Sequence, residues 1–127
     1  MNLDFIKFNE QGLVPVVVQT ASDGRVVMVA WMNRESLAKS IGTGLMHYWS
    51  RSRGKLWLKG ESSGNTQKIL RWFTDCDNDT LLFEVEQKGG ACHTGYRSCF
   101  YQQYDKNACP VPVAEERLFD PETVYKK

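Results

Sequence analysis

Val14-Pro15-Val16-Val17-Val18-Gln19-Thr20, then Ala21-Ser22-Asp23-Gly24, then Arg25-Val26-Val27-Met28-Val29-Ala30-Trp31 is the stretch that decides the fold. Two apolar, β-branched runs on either side of a segment closing in Asp-Gly read as a strand, a tight turn and a returning strand. Working outward, Asn33 caps a short helix running to about Ile41, with Leu37 and Ile41 on one face and Gly42 as terminator. Met46 to Trp49 and Lys55 to Leu58 read as short strands around Ser50-Arg51-Ser52-Arg53-Gly54, and Gly60 to Asn65 as a polar loop. Gln67 to Phe73 and Leu81 to Gln87 read as strands, the second broken by Gly89-Gly90. A last strand is expected over Cys99 to Tyr104, and one helical turn around Ala114 to Leu118. The predicted class is all-β or β-dominated α+β: a small sandwich or pseudo-barrel of short antiparallel strands with one or two short helices.

A chain of 127 residues with 42% hydrophobic and 24% charged residues is expected to form a single domain, 1–127, with a core that needs no disulfide staples. The chemistry-bearing part spans about 12–104, and 110–127 forms a C-terminal tail. A net charge of +1 gives no global electrostatic case for nucleic acid or an anionic membrane. Met1 to Gln11 has no apolar stretch of signal-peptide length, and no window approaches a membrane span. The expectation is a cytoplasmic protein, whose four cysteines read as metal ligands or buried thiols before disulfides.

Two clusters carry metal chemistry. In Asp75-Cys76-Asp77-Asn78-Asp79 an extended backbone would put the three carboxylates on one face and Cys76 on the other. Oxygen ligands of that kind suit Mg²⁺; a solvated turn between strands is the plainer alternative. An EF-hand register is also present, with Glu86 at its last position, but Thr80 stands where that loop requires glycine and strands flank it.

The second cluster is Cys92-His93 with Cys99 seven residues after Cys92, too wide for a zinc knuckle. A loop turning at Gly95 brings the two sulfurs together, and Cys76 supplies a third thiolate from the same chain or a partner. Three protein ligands leave a catalytic position open on Zn²⁺; a fourth from Cys109 would close the site into a structural one. Cys109 reads best as a small buried hydrophobe. An isolated His93 would read as a satisfied core histidine; beside Cys92 it reads as a general base.

His47-Tyr48-Trp49-Ser50-Arg51-Ser52-Arg53-Gly54-Lys55, followed by Gly60-Glu61-Ser62-Ser63-Gly64-Asn65-Thr66, combines aromatics, cations and small hydroxyls. It reads as a phosphate and sugar pocket through Arg51, Arg53, Lys55, Ser62 and Ser63, with Arg97 as a further candidate, or as an exposed hairpin with a charged tip.

Five blocks in order resemble the phosphoribosyl-AMP cyclohydrolase family of histidine biosynthesis: Trp31-Met32-Asn33 with Glu35, His47 to Arg53, Gly60 to Gly64, Asp75 to Asp79, and Ala91 to Cys99. The resemblance runs from about Gly12 to Tyr101. It implies zinc on Cys76, Cys92 and Cys99, magnesium on Asp75, Asp77 and Asp79, and an intertwined cytoplasmic homodimer sharing the zinc site between subunits. It also implies phosphoribosyl-AMP as substrate and hydrolytic opening of its N1–C6 bond; zinc-activated water, with His93 handling the proton, is the chemistry that the thiol cluster would supply. Some relatives carry a fused pyrophosphohydrolase domain; none is expected here after Pro110. The rival from another class is a non-catalytic dimeric module, stapled by structural zinc, that binds a nucleotide or partner.

Overall fold

A computed structural model of the chain describes residues 1–124. Its centre is a four-stranded sheet in the order β2-β1-β6-β5, from β1 (Leu13–Thr20), β2 (Val26–Asn33), β5 (Gln67–Thr74) and β6 (Leu81–Gln87). Helix α1 (Arg34–Thr43) follows β2, and the hairpin β3 (His47–Ser50) and β4 (Lys55–Leu58) forms a second sheet. The short strands β7 (Gln103–Tyr104) and β8 (Pro110–Val111) pair with each other, and α2 (Pro121–Val124) ends the described chain.

The expected β1 strand is present, and burial alternates along it. Val14, Val16 and Val18 are buried and join Val27, Met28, Met32, Leu37, Met46, Leu81, Phe83 and Val85 in one core. Burial of each large aliphatic or aromatic side chain contributes about 1.5–3 kcal/mol, so this face dominates the stability of the sheet. Inside it the Tyr48 hydroxyl donates to Gln67 Oε1 at 2.5 Å, and Gln67 Nε2 donates to Gln87 Oε1 at 2.7 Å. Those bonds satisfy polar groups that would otherwise be costly to bury.

Asn33 caps α1 as expected: its side chain accepts from Ser36 N at 2.8 Å while Ser36 Oγ accepts from Asn33 N at 2.9 Å. The terminator is Gly44, at φ 78°, whose N–H reaches Ser40 O at 2.8 Å; Gly42 lies inside the helix. A left-handed C-cap is where glycine costs least.

Three expectations are corrected. The sheet is mixed, because β1 and β6 pair in parallel (Val16 beside Leu81, Val18 beside Phe83) while the other pairs are antiparallel. A parallel pair needs a long crossover, here everything from β2 to β5, and leaves no hairpin signature in the sequence. Cys99 to Tyr104 is strand only at Gln103–Tyr104, because the preceding residues turn to carry the thiol loop. No helix forms at Ala114 to Leu118; the segment runs irregularly and donates from Leu118 N to Gly95 O at 2.7 Å.

Candidate active site

The loop after β6 is folded by its own backbone. Ala91 N donates to Arg97 O at 3.0 Å, Cys92 N to Tyr96 O at 3.2 Å, and Gly95 N to Cys92 O at 3.0 Å. These bonds turn the chain back on itself, and Cys99 N then anchors to Val27 O of β2 at 2.7 Å. The seven-residue spacing is thereby folded back, bringing Cys92 near enough to Cys99 to act on its thiol, while the Cys92 Sγ itself lies 2.9 Å from Thr94 Oγ1. Cys99 is exposed as a residue, yet protein atoms crowd its sulfur. Desolvation, then the neighbouring Cys92, push its thiol up to about 11. A Cys99 thiol that burial makes hard to ionise, with a second sulfur nearby, is what a soft cation reverses, since a coordinated thiol is deprotonated outright. The donor set therefore fits zinc.

His93 stands at the exposed outer edge of this loop, and its ring makes no hydrogen bond with any described residue. It is not a satisfied core histidine. That role belongs to His47, buried in β3 with its Nδ1 at 2.9 Å from Leu45 O. Cys76 is exposed on the β5–β6 loop and does not join the other two thiols within one chain. Cys109 is exposed, not the buried hydrophobe expected, because it closes the tight β7–β8 turn by donating its N–H to Asp105 Oδ1 at 3.0 Å.

Asp75, Asp77 and Asp79 do converge: one ligand oxygen from each lies within 4.8 Å of the others, the only such grouping of His, Cys, Asp or Glu among the described residues. They meet through a turn, not through strand alternation. β5 ends at Thr74, Asn78 adopts φ 62°, and Asp75 Oδ1 accepts from Asp79 N at 3.1 Å and Thr80 N at 3.2 Å. Against some desolvation, those N–H groups hold Asp75 below the usual carboxylate range, while the Asp77 and Asp75 carboxyls push Asp79 up. Hard-oxygen crowding of this kind suits Mg²⁺.

The basic candidates separate. Arg53, Ser62 and Ser63 line one cavity of about 230 Å³ together with Lys59 and Glu61. Arg51 lies elsewhere, its guanidinium 4.5 Å from the Trp31 ring centroid, and Lys55 is exposed at the start of β4. Arg97 reaches the β1–β2 turn: it donates to Asp23 Oδ1 at 2.9 Å and Thr20 Oγ1 at 3.0 Å, with a second contact to Asp23 Oδ2 at 2.8 Å.

Sequence reading passed over three contributors to this region. Lys59 is buried and donates to Ala91 O at 2.5 Å; its signal was a lysine at the end of the Leu56-Trp57-Leu58 run. Asp23 holds Arg97 as well as its own turn. The tail straps the thiol loop through Leu118 N to Gly95 O and is tied to the β1–β2 turn through Glu115 to Arg25 at 2.8 Å. Nothing local in the sequence marks that long-range contact.

Fold and site together define a small β-rich domain that carries paired thiols on one loop and a carboxylate triad on another. A family model described as phosphoribosyl-AMP cyclohydrolase matches residues 28–101. The phosphoribosyl-AMP cyclohydrolase of Chlorobium chlorochromatii (strain CaD3) is 53% identical over 125 residues, covering 98% of this chain and 90% of the relative. That of Pelotomaculum thermopropionicum is 52% identical over 126 residues (99% and 97%), and that of Methanothrix thermoacetophila 50% identical over 125 residues (98% and 99%). The chain belongs to the phosphoribosyl-AMP cyclohydrolase family.

Proposed function

We propose that this chain hydrolyses phosphoribosyl-AMP, opening the adenine ring at the N1–C6 bond to give the formimino carboxamide ribotide of histidine biosynthesis. The observation that carries the reading is the Cys92–Cys99 thiol pair, held by a self-bonded loop with His93 exposed at its edge. Cys92 and Cys99, with Cys76 from a second copy of the chain, would hold Zn²⁺, and Asp75, Asp77 and Asp79 would hold Mg²⁺. Zinc supplies a Lewis acid that makes water more acidic.

His93 takes a proton from the attacking water as its oxygen adds to C6, which N1 substitution has made electrophilic. The tetrahedral carbon then collapses: the C6–N1 bond breaks, N1 receives a proton returned by His93, and C6 becomes a carboxamide. One water is consumed and nothing else leaves. Arg53, with Ser62 and Ser63 beside it, takes one terminal phosphate; Arg51 and Lys55 are the candidates for the other. Arg97 is committed to Asp23 and Thr20, which supports a clamp on the loop in place of a phosphate contact. The chain works in the cytoplasm as a homodimer, because Cys76 needs a second copy to meet the thiol pair. Among the described residues no helix is long and apolar enough to cross a membrane.

The test is to mix purified protein with phosphoribosyl-AMP and follow the ultraviolet change as the purine opens. Turnover that a zinc chelator abolishes and added zinc restores is the expected result. No spectral change with metal-replete protein would refute the reading.

A further inference from the structure

Lys59 is only 7% exposed, at the floor where the β4 end meets the thiol loop. Its ammonium donates to Ala91 O at 2.5 Å and lies 5.9 Å from the Trp57 ring centroid. Among the described residues, none of the ion pairs includes it: the four are Arg25–Glu115, Arg34–Asp4, Arg71–Glu84 and Arg97–Asp23. A buried cation without a carboxylate is costly unless another anion lies close. Burial pulls its ammonium below the usual lysine range, and the sulfurs of Cys99 and then Cys92 act against that shift without cancelling it. The Ala91 carbonyl it grips belongs to the residue next to Cys92.

We propose that Lys59 is the charge-balancing and positioning residue of the thiol site: its buried ammonium offsets the anionic sulfurs of Cys92 and Cys99, and its bond to the Ala91 carbonyl fixes the loop that presents them. A divalent cation on three thiolates carries one net negative charge, which is unfavourable in a protein interior. One lysine in contact with the same loop makes the assembly neutral. This inference rests on the metal reading above.

The test is chelator competition on the zinc-loaded protein, comparing wild type with Lys59→Met and Lys59→Arg, alongside thermal unfolding. Lys59→Met keeps the length of the side chain and removes the charge. Zinc affinity is expected to fall about 10–100-fold, the usual cost of losing a group that supports metal ligands. Lys59→Arg is expected to recover part of it. The chelated Lys59→Met protein is expected to melt no lower than chelated wild type, because a buried unpaired charge has been removed. A purely structural lysine predicts the reverse, a lower melting temperature with zinc affinity unchanged, and that result overturns the proposal. So does equal loss of affinity in both variants. Wild type that binds no zinc at all would instead defeat the metal reading itself. Wild type and Lys59→Met binding zinc equally would defeat this inference alone.

Discussion

Gly95→Ala probes how firmly the tail holds the thiol loop. Gly95 sits at φ 101°, and a Cβ there would stand 2.2 Å from Phe119 O and 3.4 Å from the Arg117 Cγ and Cδ atoms. A carbon–oxygen contact relaxes only near ~3.3 Å, so loop or tail must withdraw by about 1 Å. The left-handed backbone costs about 1–2 kcal/mol for alanine. Losing the Leu118 N–Gly95 O bond costs about 0.5–1.5 kcal/mol more. Together these predict about 1.5–3.5 kcal/mol, or roughly 6–14 °C in Tm for a chain of this length. A displacement of ~1 Å beside the reacting centre is expected to lower kcat/KM by up to ~10²-fold. The control is Gly12→Ala, which has a comparable positive φ of 75° but nothing within 4 Å of its Cβ, and so reports the backbone cost alone. Thermal unfolding by circular dichroism and steady-state turnover give the two readouts. If Gly95→Ala melts with Gly12→Ala and turns over like wild type, the tail does not position the loop.

The other predictions concern charge and metal. His93→Ala is expected to keep zinc and lose about 10²–10⁴-fold in kcat; an unchanged rate would remove it from proton transfer. Cys99→Ser is expected to lose zinc and nearly all turnover while the far-ultraviolet dichroism stays native, whereas full activity without bound zinc would refute the thiol site. Cys109→Ser is expected to retain both metal and rate, since Cys109 is exposed and turns within β7–β8; loss of zinc would favour a closed structural site. Asp23 is held well below the usual carboxylate range, first by Arg97, then by Thr20 and the Arg25 N–H. A lowered folded-state value means its contribution is complete above the unfolded value of 3.8 and is lost as pH falls below it. Tm should therefore drop more steeply below that pH in wild type than in Asp23→Asn; parallel pH profiles would show that the Asp23–Arg97 pair does not hold the loop.

What the sequence disclosed follows physical locality. The β1–β2 hairpin, the Asn33 cap and β6 are local patterns, written in β-branched runs, turn chemistry and side-chain capping, and they were legible residue by residue. The parallel β1–β6 pairing was not, because its partners are separated by most of the fold. The carboxylate triad was found for a partly mistaken reason. Every-second-residue spacing suggested a shared strand face, but a turn at Asn78 with φ 62° brings the oxygens together. The Cys92–Cys99 approach followed from a glycine in the intervening loop. Lys59 was hidden because its one local signal, the apolar run before it, fits an exposed strand end as well as a buried one. The hold of Arg97 on Asp23 was hidden because an arginine near serines and glycines resembles a phosphate ligand until its partner is seen.

Subunit complementation tests the shared thiol site most directly. Cys76→Ser and Cys99→Ser proteins, each inactive alone, would be mixed under conditions that let subunits exchange. A heterodimer carries one site with Cys92 and Cys99 from the first variant and Cys76 from the second, all intact, and one site damaged twice. With half the dimers mixed and one of two sites working, turnover should recover to about a quarter of the wild-type value. A mixture that stays inactive although exchange is demonstrated would contradict the account.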